Sequence, residues 1–192
     1  MVLPIVAYGS PVLRKVCKDI PADYPHLDKL IADMWETMYN SRGVGLAAPQ
    51  VNKDIRLFVI DSIQILDGLE EDEKVDYPND KGYKGVFINA HISSMQGKGW
   101  AYNEGCLSIP KIREDIYRQQ EVTIDFVNEK FELQTLSFNG ITARVILHEY
   151  DHIDGKLFID HLKPLKRKLL KGKLADISKG KINVDYRMVF HK

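Results

Sequence analysis

Apolar residues in this chain fall into two rhythms, and the changes of rhythm mark its elements. Leu27, Leu30, Ile31, Met34, Trp35 and Met38 recur at three- and four-residue spacings, the stripe of a helix with one face on a core. The stripe predicts a helix from about Pro25 to Ser41, with proline at its first position, where a missing N–H costs nothing. Ahead of it, residues 1–22 carry three prolines and a Gly-Ser-Pro turn. They read as an extended arm with one helical turn after Pro11. Ile55 to Ile60 and Val86 to Asn89 are strand-like runs. Glu121 to Val127 and Phe131 to Phe138 alternate apolar and polar residues about Asn128-Glu129-Lys130, which predicts a hairpin. From Ile141 to Leu147 nearly every residue is apolar, so a buried helix is expected there, with Gly155 as its stop. Leu165, Leu169, Leu170 and Leu174 give a second, amphipathic helical pattern over about 163–178, and a final strand is expected over about 183–190. The acidic stretch 67–84 reads as a solvated loop, since it lacks the register of a calcium-binding loop. The pattern as a whole predicts one α+β domain over residues 1–192, with mostly antiparallel strands around that central buried helix.

That helix carries the chemistry. Residues four apart share a face, so Ile141, Val145, His148 and His152 form one stripe. Two imidazoles one turn apart can hold one metal ion, and Glu149 beside them can move a proton of a water at the site. This is the His-Glu-x-x-His pattern of metallohydrolases; the bland alternative is a helix with two ordinary histidines. The decision rests on a third ligand. A third His after the glycine is excluded by Phe158, and no Glu follows Glu149. Asp154 and Asp160 remain open. Upstream, Cys106 is the best candidate, because a thiolate binds a divalent transition metal far better than a hydroxyl or amide does. A Cys-His-His set leaves one coordination position free, the catalytic rather than the structural arrangement.

Composition narrows the setting. With 192 residues the chain suits one domain with a sizeable core, and its 27 basic and 27 acidic residues balance, so no global field draws it to DNA or membrane. It has two cysteines, Cys17 and Cys106. No signal segment opens the chain and no apolar run reaches the ~20 residues of a membrane span. A cytoplasmic location with reduced thiols follows as the expectation, with Cys106 free to be a ligand and Cys17 a small core residue.

Three segments then act together. Gly43-Val44-Gly45-Leu46-Ala47-Ala48-Pro49-Gln50, Glu104-Gly105-Cys106-Leu107-Ser108 and His148-Glu149-Tyr150-Asp151-His152 resemble, in order, the three signature motifs of peptide deformylase. The likeness runs from about Ser10 to Phe158. It departs at Leu147, where many relatives carry Gln, and in the longer acidic segment. The first motif also matches a dinucleotide fingerprint formally, but it follows a helix and precedes a strand, the wrong context. The resemblance implies a deformylase fold and removal, as formate, of the formyl group from the N-terminal formyl-methionine of new proteins. It implies one divalent metal per chain held by Cys106, His148 and His152, natively Fe²⁺, with Zn²⁺, Ni²⁺ or Co²⁺ able to replace it. Glu149 is the expected proton carrier, and Gln50 with the Leu107 N–H the expected oxyanion donors. Gly43 and Gly45 would let substrate backbone come close. Glu104 and Arg113 stand where the family has supporting residues, and both are expected near substrate. Val44, Ile141 and Val145, with Arg144 beside them, are expected to line a methionine pocket. A general metallopeptidase, a structural metal protein and an inactive homologue are the alternatives. From Lys163 to Lys173 lie six basic residues and no acidic one; the plain reading is a solvated helix face, and the alternative is a contact with the ribosome, where formylated chains emerge.

Overall fold

The structure is a computed structural model that describes residues 1–191. The arm opens with a two-residue strand, β1 (Ile5–Val6), and a 3₁₀ turn at Pro11–Arg14, the single turn expected after Pro11. Helix α1 is Leu27–Asn40. It starts two residues after Pro25, because His26 holds a left-handed backbone (φ 58°) and helical geometry begins only past it. Strands β2 (Gly45–Ala47) and β3 (Leu57–Asp61) follow. The acidic stretch is not a bare loop, since it contains short helices α2 (Ile63–Asp67) and α3 (Glu71–Lys74). Next come β4 (Lys84–Gln96), β5 (Trp100–Cys106), β6 (Ile109–Arg118), β7 (Glu121–Val127) and β8 (Leu133–Asn139). Helix α4 is Gly140–Ile153, α5 is Pro164–Ser178, and β9 is Met188–Val189. Only those two residues of the strand expected over 183–190 are extended in a sheet.

Strands β2-β3-β4-β7-β8 make one antiparallel sheet, β5 and β6 form a separate hairpin, and β1 pairs with β9 in parallel. Every residue of β3 is buried. Alternation explains this: Phe58 and Ile60 pack in one cluster with α4, while Leu57 and Val59 pack in another with α1. A sheet covered on both faces reads as a continuous apolar run rather than an alternating one. The α4 side is aromatic, with Phe87 stacked on Phe58 and tilted on Phe126 at centroid distances of 4.7 and 4.3 Å. A third cluster fills the space under the β5–β6 hairpin with Phe158, Leu170, Leu174 and Ile177.

Two contacts fix the ends of α4. At its start, Asp80 accepts from the Thr142 N–H (2.8 Å) and the Thr142 hydroxyl (2.6 Å), so the acidic stretch caps the helix from a distance. At its end, Gly155 (φ 72°) and Lys156 return their N–H groups to His152 and Asp151, the reciprocal pair of a glycine-terminated helix. A Cβ on Gly155 would also lie 2.8 Å from the Arg14 carbonyl oxygen. Among the described residues no helix is long and apolar enough to cross a membrane.

Candidate active site

The covered face of α4 places His148, Glu149 and His152 where its apolar first half gives way to polar chemistry. The β5–β6 hairpin brings Cys106 to them from across the fold. Donor atoms of Cys106, His148 and His152 all lie within 4.8 Å of one another. Cys106 Sγ is 3.2 Å from His152 Nε2, and the two imidazole rings are 5.3 Å apart. Among the described residues this is the one group of three or more Cys, His, Asp or Glu side chains that could share an ion. A sulfur and two imidazole nitrogens suit a divalent transition metal and leave room for a small fourth ligand. Burial alone would push the Cys106 thiol up, but the His152 and His148 imidazoles outweigh it and bring the thiol down to about 5.

Glu149 sits 4% exposed beside this group, and its Oε2 has no hydrogen-bond partner among the described residues. Burial raises its carboxyl to about 7, with both histidines pulling the other way. Its near neighbour is backbone: a Cβ on Gly45 would overlap Glu149 Oε1 and lie 2.8 Å from Cδ. Only glycine allows that approach. Gln50 is aimed by its own turn. Its Oε1 accepts from the Ala47 N–H (2.8 Å), which directs Nε2 at Cys106 Sγ (3.5 Å) and Ser108 Oγ (3.4 Å).

Behind the three donors lies a buried ionic network. Glu104 Oε2 meets His148 Nδ1 at 2.9 Å, so a proton on Nδ1 leaves Nε2 as the lone pair that faces the site. The same carboxylate takes Arg118 Nε (2.8 Å) and Arg144 Nη1 (3.0 Å), and Arg118 Nη1 reaches Asp151 (2.7 Å). Asp151 in turn meets His161 (2.7 Å). Burial works against the Glu104 charge, yet His148 and Arg118 hold its carboxyl below the usual carboxylate range. Two carboxylates against two guanidiniums cancel formally, which makes burial of all four tolerable.

A cavity of about 900 Å³ opens in front, lined among others by Val44, Gly45, Gln50, Leu107, Val145, His148 and Glu149. One expected residue lies elsewhere. Ile141 is 1% exposed and packs into the sheet core rather than lining the cavity, because it lies two turns from His148 at the deep end of α4. Glu104 and Arg144 border the cavity; the Glu104 oxygens meet Arg144, Arg118 and His148, and the Arg144 Nη atoms also reach the Ile116 and Trp100 carbonyls, with Arg144 Nε left without a partner among the described residues. Both therefore face the cavity as expected and are tied into the ionic network behind it. Arg113 does face the cavity, donating to Asn103 Oδ1 at 2.8 Å. Sequence reasoning missed Arg118, Asp151 and His161, and the cavity wall at Ile65 and Asn183–Tyr186. For Asp151 a signal existed, a second acid inside the His148–His152 motif.

A sulfur-and-imidazole site with a buried carboxylate at the end of a cavity, carried on an α+β fold, defines a metallohydrolase. A family model described as polypeptide deformylase matches residues 2–168. Peptide deformylases of Christiangramia forsetii and Flavobacterium johnsoniae are 53% and 54% identical to this chain, each over 99% of it and 96% of their own length. The crystal structure of peptide deformylase from Thermus thermophilus superposes with a TM-score of 0.79 at 33% identity, covering 94% of this chain and 99% of that one. The chain belongs to the polypeptide deformylase family.

Proposed function

We propose that this chain hydrolyses the formamide at the N-terminus of newly made proteins, giving formate and a free amine, with Cys106, His148 and His152 holding one divalent metal. When bound, that ion supplies Lewis acidity to the carbonyl and acidity to a water. The observation that carries the reading is Glu149: a carboxyl raised to about 7 by burial, against the donor group and at the end of the cavity. Such a group can take a proton from the attacking water and give it to the departing amine nitrogen at neutral pH. Gln50 Nε2 and the Leu107 N–H are the donors assigned to the developing oxyanion, and preorganised donors of this kind are worth on the order of 10²–10³ in rate each. Val44 and Val145 supply the apolar wall for a methionine side chain. Glu104 fixes the His148 tautomer, and Arg118 and Arg144 hold Glu104.

The soft donor set fits Fe²⁺ as the native ion, with Zn²⁺, Ni²⁺ or Co²⁺ as replacements. Two free thiols, Cys17 and Cys106, support a reducing, cytoplasmic setting. Helix α5 presents Lys168 and Lys171 among exposed Leu165 and Leu169, a surface suited to the ribosome.

Formate release from a formyl-Met peptide, set against amine release from the unformylated peptide, tests the substrate. Glu149→Ala is expected to keep its metal and lose about 10²–10⁴ of turnover. Loss of metal along with activity would make Glu149 structural and sink the role given to it. Ribosome co-sedimentation at low and high salt with Lys166, Arg167 and Lys168 changed to Glu tests the α5 contact, and binding equal to the parent at low salt refutes it.

A further inference from the structure

The family match ends at residue 168, yet the cavity does not. Asn183, Val184, Asp185 and Tyr186 line it, held in place by two anchors. One is β9, whose Met188 and Val189 pair with Ile5 and Val6. The other is the Tyr186 hydroxyl, which donates to the Leu107 carbonyl at 2.7 Å. Just ahead of them, Asp185 meets Arg42 at 3.3 Å at the cavity rim.

The Leu107 carbonyl lies in the turn that joins β5 to β6. That turn is irregular: register slips between Gly105 and Cys106, so Cys106 faces Ile109 where even pairing would place it elsewhere. A bulged turn has fewer ladder bonds of its own and depends on outside partners. Three are present. The Tyr8 N–H donates to the Ser108 carbonyl (2.8 Å), Gln50 Nε2 reaches Ser108 Oγ (3.4 Å), and Tyr186 takes the Leu107 carbonyl. The Leu107 side chain is pressed on Gly43, where a Cβ would lie 2.9 Å from Leu107 Cδ1. The peptide planes on both sides of Ser108 are therefore held by outside partners, the Leu107–Ser108 plane by a residue 79 positions away and the Ser108–Ile109 plane by Tyr8, while Gly43 seats the Leu107 side chain.

We propose that Tyr186 is a positioning residue for deformylation, its hydroxyl holding the Cys106–Ser108 turn so that Cys106 Sγ and the Leu107 N–H face the reacting group. The proposal rests on the reaction and the Leu107 role given above. Tyr186 touches no reacting atom. A turn left free to rock would misaim a donor needed only in the transition state, so the loss falls on kcat rather than on KM. One neutral hydrogen bond sets the scale.

Tyr186→Phe removes the hydroxyl and keeps the ring. It is expected to lower kcat by about three- to tenfold with KM within about twofold. Amide hydrogen exchange over 106–108 should quicken in the metal-loaded enzyme while exchange over α4 stays at the parent's rate. Tyr117→Phe, at a residue 66% exposed on β6, serves as the control and should match the parent in both. A Tyr186→Phe enzyme with parental kcat, or one whose exchange rises equally over α4 and the turn, overturns the assignment. If the parent itself releases no formate, the functional reading fails. Exchange still judges the clamp: faster at 106–108 alone supports it, unchanged refutes it.

Discussion

Helices α4 and α5 have 14 and 15 residues, but 12 of the first are buried and only three of the second. Helix α4 is wedged against the sheet and covered at its start by the acidic stretch and at its end by Arg14, so that only His148 and Tyr150 are half-buried and one side opens on the cavity. Helix α5 rests on Leu170, Leu174 and Ile177 and leaves Leu165 and Leu169 over 70% exposed. A helix buried on most sides fixes the direction of what it carries; a helix held by one stripe offers surface. The candidate metal donors of the first and the basic face of the second follow that division.

The largest effect that could break the contrast lies at the donor group. Cys106→Ala is expected to lose most metal and nearly all formate release, while Cys17→Ala changes neither, although both are cysteines in the same fold. Cys17 is 5% exposed and burial raises its thiol to about 11, so it is chemically quiet. In a Co²⁺-substituted enzyme the thiolate charge-transfer band should vanish with Cys106 and survive loss of Cys17; the reverse result would remove Cys106 from the site.

Next comes packing. Ile146→Ala in α4, at 0% exposure, should cost about 2–5 kcal/mol of unfolding free energy through the cavity it leaves. Leu169→Ala in α5, at 74% exposure, should stay within about 0.5 kcal/mol. Urea unfolding of both variants measures the difference, and similar values would mean that the helices are held alike.

A smaller loss is expected at the distant cap. Asp80→Ala leaves the Thr142 N–H unpaired at the start of α4 and should cost about 1–2 kcal/mol, with metal content unchanged. Unaltered melting would reduce the acidic stretch to a passive loop.

The smallest effect is a pH dependence just ahead of α5. Asp160 is opposed by burial, but Arg14 and the Leu157 N–H outweigh it and hold its carboxyl below its ordinary 3.8. Its folded value is thus the lower one. The stabilisation is complete above about pH 4 and fades as pH falls through the folded value. Asp160→Asn should therefore narrow its stability gap to the parent as pH drops from 5 to 2, and a gap that stays constant over that range would exclude the ion pair as its source.

How much could be read without coordinates follows from where information sits in a chain. Helix α4 was legible because its apolar run and the His148–His152 spacing are both local. The grouping of Cys106 with His148 and His152 was legible because a thiol is rare and a third His or a later Glu is missing, though Asp154 and Asp160 stayed open until the structure grouped the donors. Strand β6 was invisible. Its inward residues Ile109, Ile112 and Ile116 are spaced by three and four, a helical count, because Lys111 in a left-handed conformation (φ 61°) switches the face on which the strand's residues fall. Ile141 was placed at the cavity because sharing a stripe with His148 says nothing about depth. Asp80, Arg118 and Tyr186 act on residues 62, 14 and 79 positions away, and pairings of that kind leave no trace in local pattern.

The parallel pairing of β1 with β9 bears on the order in which the molecule is made. A ribosome adds Met188 and Val189 long after Ile5 and Val6, and at about 5–20 residues per second the stretch beyond α4 takes seconds to appear. During that interval the five-stranded sheet, α1 and α4 are already available to pack, while β1 waits without a partner. The donor group can assemble before the outer wall of the cavity exists. Synthesis thus supplies core, then chemistry, then enclosure, and the chain's early strand is the latch on which its late segment closes.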